Sequence, residues 1–320
     1  MHCNSFKDQT STFNLMPLKR KNEKKSSLIL IHLCALLAVS VWGTSFVSTK
    51  VLLDNGVHAV EIYLYRFFIA YLILLCICHK KLWANSLRDE MLLAVCGLTG
   101  GSIYFIAENT ALNYTLTSNV SLLTTLAPLL TTLLIGILYK NERPNAWVYV
   151  GSGVAMLGVV CIIFKEGFNL KVMPLGDLLA LSAAFSWAIY AIVLRKISPV
   201  YTTLFITRKT FFYGLLTALP FLAAEPEICP LSTLFSPVVI GNILFLALVA
   251  SLLSYLIWAQ TVRFLGAIKA SNYLYVQPIV TMIFSAIVFT DDPLTFVGCL
   301  GCVLIIGGIW FGDFMTRRNI

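Results

Sequence analysis

The sequence predicts an all-α integral membrane protein, with ten transmembrane helices forming two inverted five-helix repeats. Three observations predict it. The 320 residues are 58% hydrophobic and 12% charged, with a mean hydropathy of +0.85, whereas soluble domains hold about 45–50% apolar and about 25% charged residues. Apolar stretches long enough to cross a hydrocarbon core of about 30 Å recur along the chain. A weak internal likeness also relates its two halves.

The net charge of +8 could suit nucleic acid. The basic residues, however, fall in short loops and at the tails instead of on one continuous face, so the expected partner is the lipid bilayer and not nucleic acid. Most of the nine cysteines, such as Cys34, Cys96 and Cys161, lie inside apolar stretches. There they behave as small hydrophobes, and no disulfide framework is expected.

Residues 1–27 read as a cytoplasmic tail ending in Lys19, Arg20, Lys21, Lys24 and Lys25. No small-residue cleavage site follows, so the first span is expected to be retained. Spans are expected at 28–49, 58–78, 91–112, 117–139, 146–164, 176–195, 203–222, 238–262, 268–290 and 294–314. Alternate connections collect the basic residues: Lys80, Lys81 and Arg88; Lys140 and Arg143; Arg195 and Lys196; Arg263 and Lys269; Arg317 and Arg318. The others hold Asp54, Glu225, Glu227, Asp291 and Asp292, with Lys165 and Lys171 against the trend. The positive-inside rule then places both termini in the cytoplasm.

A shift of 150 positions lays Ser121 on Ser271, Pro128 on Pro278, Thr131 on Thr281, Gly151 on Gly301 and Gly158 on Gly308. The repeats are accordingly drawn at 28–164 and 176–314. Five crossings per copy turn the second copy upside down relative to the first, an architecture found mostly in secondary transporters whose site lies between the halves near the midplane.

The segments from Glu108 to Ile162 and from Trp258 to Ile309, with VWGTSFV (Val41 to Val47) and EIYLYRFF (Glu61 to Phe68) upstream, resemble the duplicated module of the EamA-type drug/metabolite transporter superfamily. The resemblance spans roughly Leu28 to Phe314. It implies a ten-helix carrier of small metabolites or amphipathic solutes, an exporter in the cell (inner) membrane working by alternating access. Asp291 and Asp292 depart from that family, which more often has a single glutamate there.

Glu108 and Arg66 are the charges expected within the spans, at similar depth on neighbouring helices. Pairing would lower the insertion penalty of both, and the pair is expected to face an aqueous cavity and to link transport to protonation. Pro128 and Pro278, matched near the middle of the fourth and ninth spans, are read as hinges, because a mid-helix proline frees carbonyls that neighbours, water or solute must meet. Trp42, Tyr104, Glu108, Asn109, Trp187, Tyr190, Tyr255, Trp258, Gln260, Asn272 and Tyr275 are the candidate solute-binding groups, able to stack an amphipathic solute and bond its polar edge. Arg208 and Lys209 are read as interfacial anchors whose long stems snorkel.

Gly97–Gly101 and Gly308–Gly312 match GxxxG. The spacing fits packing inside the bundle and leaves a homodimer open. Cys299 and Cys302 form C-x-x-C without a second pair or a nearby histidine, so no metal or other cofactor is expected. No catalytic or nucleotide-binding motif is present, so the chain is not expected to be an enzyme. Two alternatives stay open: a nucleotide-sugar or lipid-linked-sugar transporter of the same superfamily, and, from another class, an intramembrane enzyme or a receptor.

Overall fold

A computed structural model describes residues 16–115, 117–139, 143–163, 173–224, 228–280, 283 and 296–318. Every regular element among the described residues is helical. Thr281, Asp291, Asp292, Lys140, Lys165, Lys171, Glu225 and Glu227, all used in the sequence reading, lie outside the described residues.

The helices are α1 (Met16–Asp54), α2 (Ala59–Ile77), α3 (Leu87–Gly97), α4 (Ile103–Tyr114), α5 (Thr117–Thr124), α6 (Ala127–Leu138) and α7 (Ala146–Ile163), followed by α8 (Pro174–Ile197), α9 (Thr203–Ala223), α10 (Leu231–Leu234), α11 (Pro237–Leu244), α12 (Ser254–Leu265), α13 (Ala267–Asn272) and α14 (Phe296–Arg318). Among the described residues, six stretches are long and apolar enough to cross a membrane, from Leu28–Asp54 to Phe296–Thr316, and Leu122–Leu138 and Ala146–Ile162 are shorter apolar helices. The chain is therefore a multi-pass membrane protein.

Three expectations change. The helix of the first span begins at Met16, inside the stretch read as tail. Lys, Arg and Glu are good helix formers, and Pro17 falls in the first turn, where its missing N–H costs nothing.

The matched prolines do not kink continuous helices. The fourth span breaks between α5 and α6, and Pro128 stands in the first turn of α6. Pro278 follows a 3₁₀ turn over Tyr273–Val276. At each site the chain leaves α geometry just before the proline, so the carbonyls a mid-helix proline would orphan never arise. Downstream, Thr131 and Thr132 donate to the carbonyls of Ala127 and Pro128 at 2.8 and 2.9 Å.

Arg208 and Lys209 are buried instead of snorkelling outward. Arg208 donates to the carbonyls of Cys78, Lys81 and Leu82, and Lys209 pairs with Glu90. Together they tie the α2–α3 connection to α9. Tyr201 adds to this tie by accepting from Asn85 N–H and donating to Asp89 at 2.8 Å. Burial pushes its phenol above the ordinary tyrosine range, so it stays a donor at neutral pH. Replacing Arg208 with methionine strips a charged donor from three carbonyls, at about 1.5–3 kcal/mol for a single such bond. Thermal unfolding in detergent should shift down by several degrees, and faster hydrogen exchange should be confined to residues 78–86.

Two contact patterns are reciprocal. The third span carries a π-helical turn at Leu98–Ser102 and the eighth a longer one at Phe245–Leu253. α9 packs on the first and α2 on the second, while α8 packs on α4 and α1 on α12. The other pattern joins α7 to α14. A Cβ on Gly158 would stand 2.5 Å from the Gly301 carbonyl oxygen, and one on Gly301 2.6 Å from that of Gly158. Gly151 and Gly308 meet in the same way, at 2.6 and 2.7 Å. Residue numbers rise on one helix as they fall on the other, so the two helices cross antiparallel, each offering the same patch to its partner. Gly97 and Gly101 pack on Gly214 of α9. Both GxxxG spacings are thus used within one chain.

Candidate functional site

Where the two halves cross, α1, α2, α4, α5, α6, α8 and residues 274–277 line a cavity of about 50 Å³. That volume holds only a few waters, well short of the roughly 300 Å³ usual for a small-molecule site, so in this conformation the cavity is too small for a metabolite.

Six of the residues singled out from sequence line it: Trp42, Arg66, Tyr104, Glu108, Asn109 and Trp187. On α4 the one-turn spacing brings Tyr104 over Glu108, and its hydroxyl donates to Oε1 at 2.9 Å. Asn109 donates to the Ala59 carbonyl at 3.3 Å, tying α4 to the start of α2.

Arg66 and Glu108 do not form the direct ion pair expected of them. The Arg66 Nε donates to Ser251 Oγ at 2.8 Å, and the guanidinium lies 4.8 Å from the centre of the Phe105 ring and 5.3 Å from that of Phe67. The bond to Ser251 and the ring faces hold the cation in place, while Glu108 lines the same cavity. Its Nη2 and the Trp187 Nε1 are buried with no hydrogen-bond partner among the described residues. The cavity is thus lined by one guanidinium-bearing residue, one carboxylate and aromatic walls.

Three further candidates lie behind the wall. Tyr255 donates to the Gly100 carbonyl at 2.5 Å, and Tyr190 packs over Gly100. Trp258 stands 5.4 Å from Trp42 and 5.8 Å from Trp187, ring centre to ring centre. These rings set the pose of Trp42 and Trp187 without lining the cavity.

The last three are elsewhere. Gln260 is exposed, on a face of α12 turned from the cavity. Tyr275 is buried among Ala155, Val159 and Ile305. Asn272 lines two other cavities. One residue of helical phase separates Gln260 from its buried neighbour Ala259, which is why the residue types alone misplaced it.

Ser45, Phe46, Thr49, Phe105, Thr124 and Gln277 line the cavity and were not singled out. A signal existed for three of them: Trp42, Ser45, Phe46 and Thr49 fall at i, i+3, i+4 and i+7, one face of a helix, and that face carries two hydroxyls.

Both π turns meet this site from behind. Trp42 donates to the Ala250 carbonyl at 2.8 Å and Arg66 bonds Ser251, both in the second turn. Ser186 donates to the Thr99 carbonyl at 2.7 Å and Tyr255 to that of Gly100, in the first. π turns recur at functional positions because they disturb the regular carbonyl ladder. Here each half supplies carbonyls that anchor side chains of the other.

A bundle of membrane-crossing helices around a small, charged and aromatic cavity fits a membrane transporter by class. The EamA-like transporter family matches the chain twice, over residues 29–164 and 174–311, and the chain belongs to that family. Among its relatives, an uncharacterised transporter of Archaeoglobus fulgidus is 26% identical over 284 residues, 87% of this chain and 96% of that one. A probable amino-acid metabolite efflux pump of Escherichia coli is 28% identical over 289 residues, 88% and 94% of the two chains. An uncharacterised transporter of Bacillus subtilis is 30% identical over 232 residues, 71% and 73%. A crystal structure superposes with a TM-score of 0.73 at 18% identity, over 90% of this chain and 98% of its own, and shares the fold.

Proposed function

We propose that the protein is a secondary carrier that exports small amphipathic metabolites across the cell (inner) membrane by alternating access. Its ten spans form two five-helix repeats of opposite orientation, at 28–164 and 176–314, with both termini cytoplasmic. The observation that carries this reading is the pair of opposite charges, Arg66 and Glu108, buried at one small aromatic cavity where the halves meet. Burying charge in a membrane is costly and needs a purpose. The reciprocal glycines of α7 and α14, the paired π turns and the matched prolines support the inverted repeat. Breaks before Pro128 and Pro278 supply the places where each half can bend.

A carboxylate would take the donors of Arg66 and Trp187, an ammonium group would face Glu108, and an apolar remainder would stack on Trp42 and Phe46. A zwitterionic amino-acid metabolite has those parts, and the Escherichia coli relative is named for such solutes. A nucleotide sugar brings two or more phosphate charges, for which one lining arginine is too little.

Counterflow in proteoliposomes tests this. Vesicles preloaded with unlabelled amino-acid metabolites should accumulate the labelled solute transiently, and chemically unchanged. No accumulation with any amino-acid metabolite, or a chemically converted solute, would overturn the reading. Glu108→Gln should abolish the dependence of flux on pH, tested between about pH 4 and pH 8 so that the ordinary carboxylate range is included. An unaltered pH profile would remove the proton-linked role of Glu108.

A further inference from the structure

Two larger cavities lie away from the central one, and they share a wall. The first, of about 420 Å³, sits at the end of the bundle that carries Arg143, Arg195 and Lys269, facing Asp313. The Arg195 guanidinium is held over the Tyr139 ring at 5.2 Å, and Lys269 Nζ stands 3.8 Å from Asp313. Among the described residues that line it, three cations stand against one carboxylate, a balance that favours anions.

The second, of about 560 Å³, is a groove on the outer surface between α1 and α14, floored by Tyr273 and Val276. Its walls include Phe264, Ile306 and Trp310, which are 55%, 62% and 64% exposed. On a membrane-crossing bundle such side chains face acyl tails. The α1 wall extends from Leu28 to Leu36, which at 1.5 Å per residue is about 12 Å of depth. Leu265, Lys269, Asn272, Ile309 and Asp313 border both cavities, so the basic pocket adjoins the apolar groove.

A cationic pocket adjoining a lipid-facing groove matches a ligand with an anionic head and a hydrocarbon tail. We propose that an anionic phospholipid of the leaflet on the basic side occupies both cavities, its phosphate among Arg143, Arg195 and Lys269 and one acyl chain along the groove. Basic pockets between helices on the cytoplasmic side are a recurring means of holding such headgroups. The lipid would brace α13 and the 3₁₀ turn that leads to Pro278, and so set how readily that segment moves. A soluble anion would use the pocket and leave the groove unexplained.

The full chain in neutral detergent, with thermal unfolding as readout, tests this against three probes: phosphatidylglycerol, phosphatidylcholine and glycerol 3-phosphate. At roughly a hundredfold excess over its Kd, phosphatidylglycerol should raise the melting temperature by about 5–10 °C, with the other two giving little. The double variant R143Q/R195Q should lose that increment. Ile306→Trp, a change at an exposed position, fills the groove and should lose it as well while melting like the parent without lipid. Native mass spectrometry after incubation with an equimolar mixture should show phosphatidylglycerol retained over phosphatidylcholine. Equal effects of the two lipids, an equal effect of glycerol 3-phosphate, or an undiminished increment in both variants would each overturn the proposal. None of these readouts depends on solute flux.

Discussion

Gly158→Leu should lower the unfolding temperature in detergent by roughly 10 °C, and Gly301→Leu should match it. The expectation follows from overpacking at a backbone contact: typical costs are about 1–3 kcal/mol, at about 2–4 °C per kcal/mol for chains of 150–250 residues, and this site belongs at the upper end. A first side-chain atom at either position already falls 2.5–2.6 Å from the other glycine's carbonyl oxygen. The obstacle is backbone, so no rotamer change relieves it. Gly153→Leu on the same helix is the control, since a Cβ there meets nothing within 4 Å and its cost should stay within about 0.5 kcal/mol. The milder pair Gly158→Ala and Gly301→Ala should be non-additive when combined, because each position is the other's obstacle. If leucine were tolerated at Gly158 and Gly301 as it is at Gly153, the close crossing of α7 and α14 would be wrong, and with it a main support of the inverted repeat.

The second large effect concerns Arg66. Arg66→Gln should reduce counterflow by roughly 30- to 5000-fold, the equivalent of about 2–5 kcal/mol for removing one member of a buried charged contact. The change keeps an amide able to bond Ser251 but removes the charge and the stack on Phe105. Arg66→Lys should not restore the rate. An ammonium carries all its donors on one nitrogen, so it cannot bond Ser251 and also place a donor where the far edge of the planar guanidinium stands. Glu108→Gln, in contrast, keeps an oxygen for the Tyr104 hydroxyl, so a loss there reports charge and not shape. Comparable melting temperatures for all three variants would separate the loss from misfolding. Full counterflow in Arg66→Gln would end the role given to the cavity.

Apolar length, positive loops, the duplicated order of motifs and the isolated charges of Arg66 and Glu108 were all legible in the chain, because each depends on residue type and spacing alone. Hydrocarbon demands long apolar stretches, and an ionised side chain among them stands out against that background. The matched glycines 151/301 and 158/308 were also visible as a repeat, although their mutual contact was not.

What needed three dimensions was rotational phase. A membrane helix is apolar towards lipid and apolar towards its neighbours, so little amphipathic signal says which face turns inward. Trp42 and Trp187 line the cavity, Trp258 supports them from behind and Gln260 faces outward, yet all four are similar candidates in a linear reading. The tertiary structure also decided that Arg66 bonds Ser251 instead of Glu108, that the prolines follow helix breaks instead of bending continuous helices, and that Arg208 clasps a loop instead of reaching for headgroups. Composition and spacing determined that this protein crosses a membrane as a duplicated bundle with charge inside it. The packing of helix on helix, which fixes each side chain's direction, decided what those charges and rings surround.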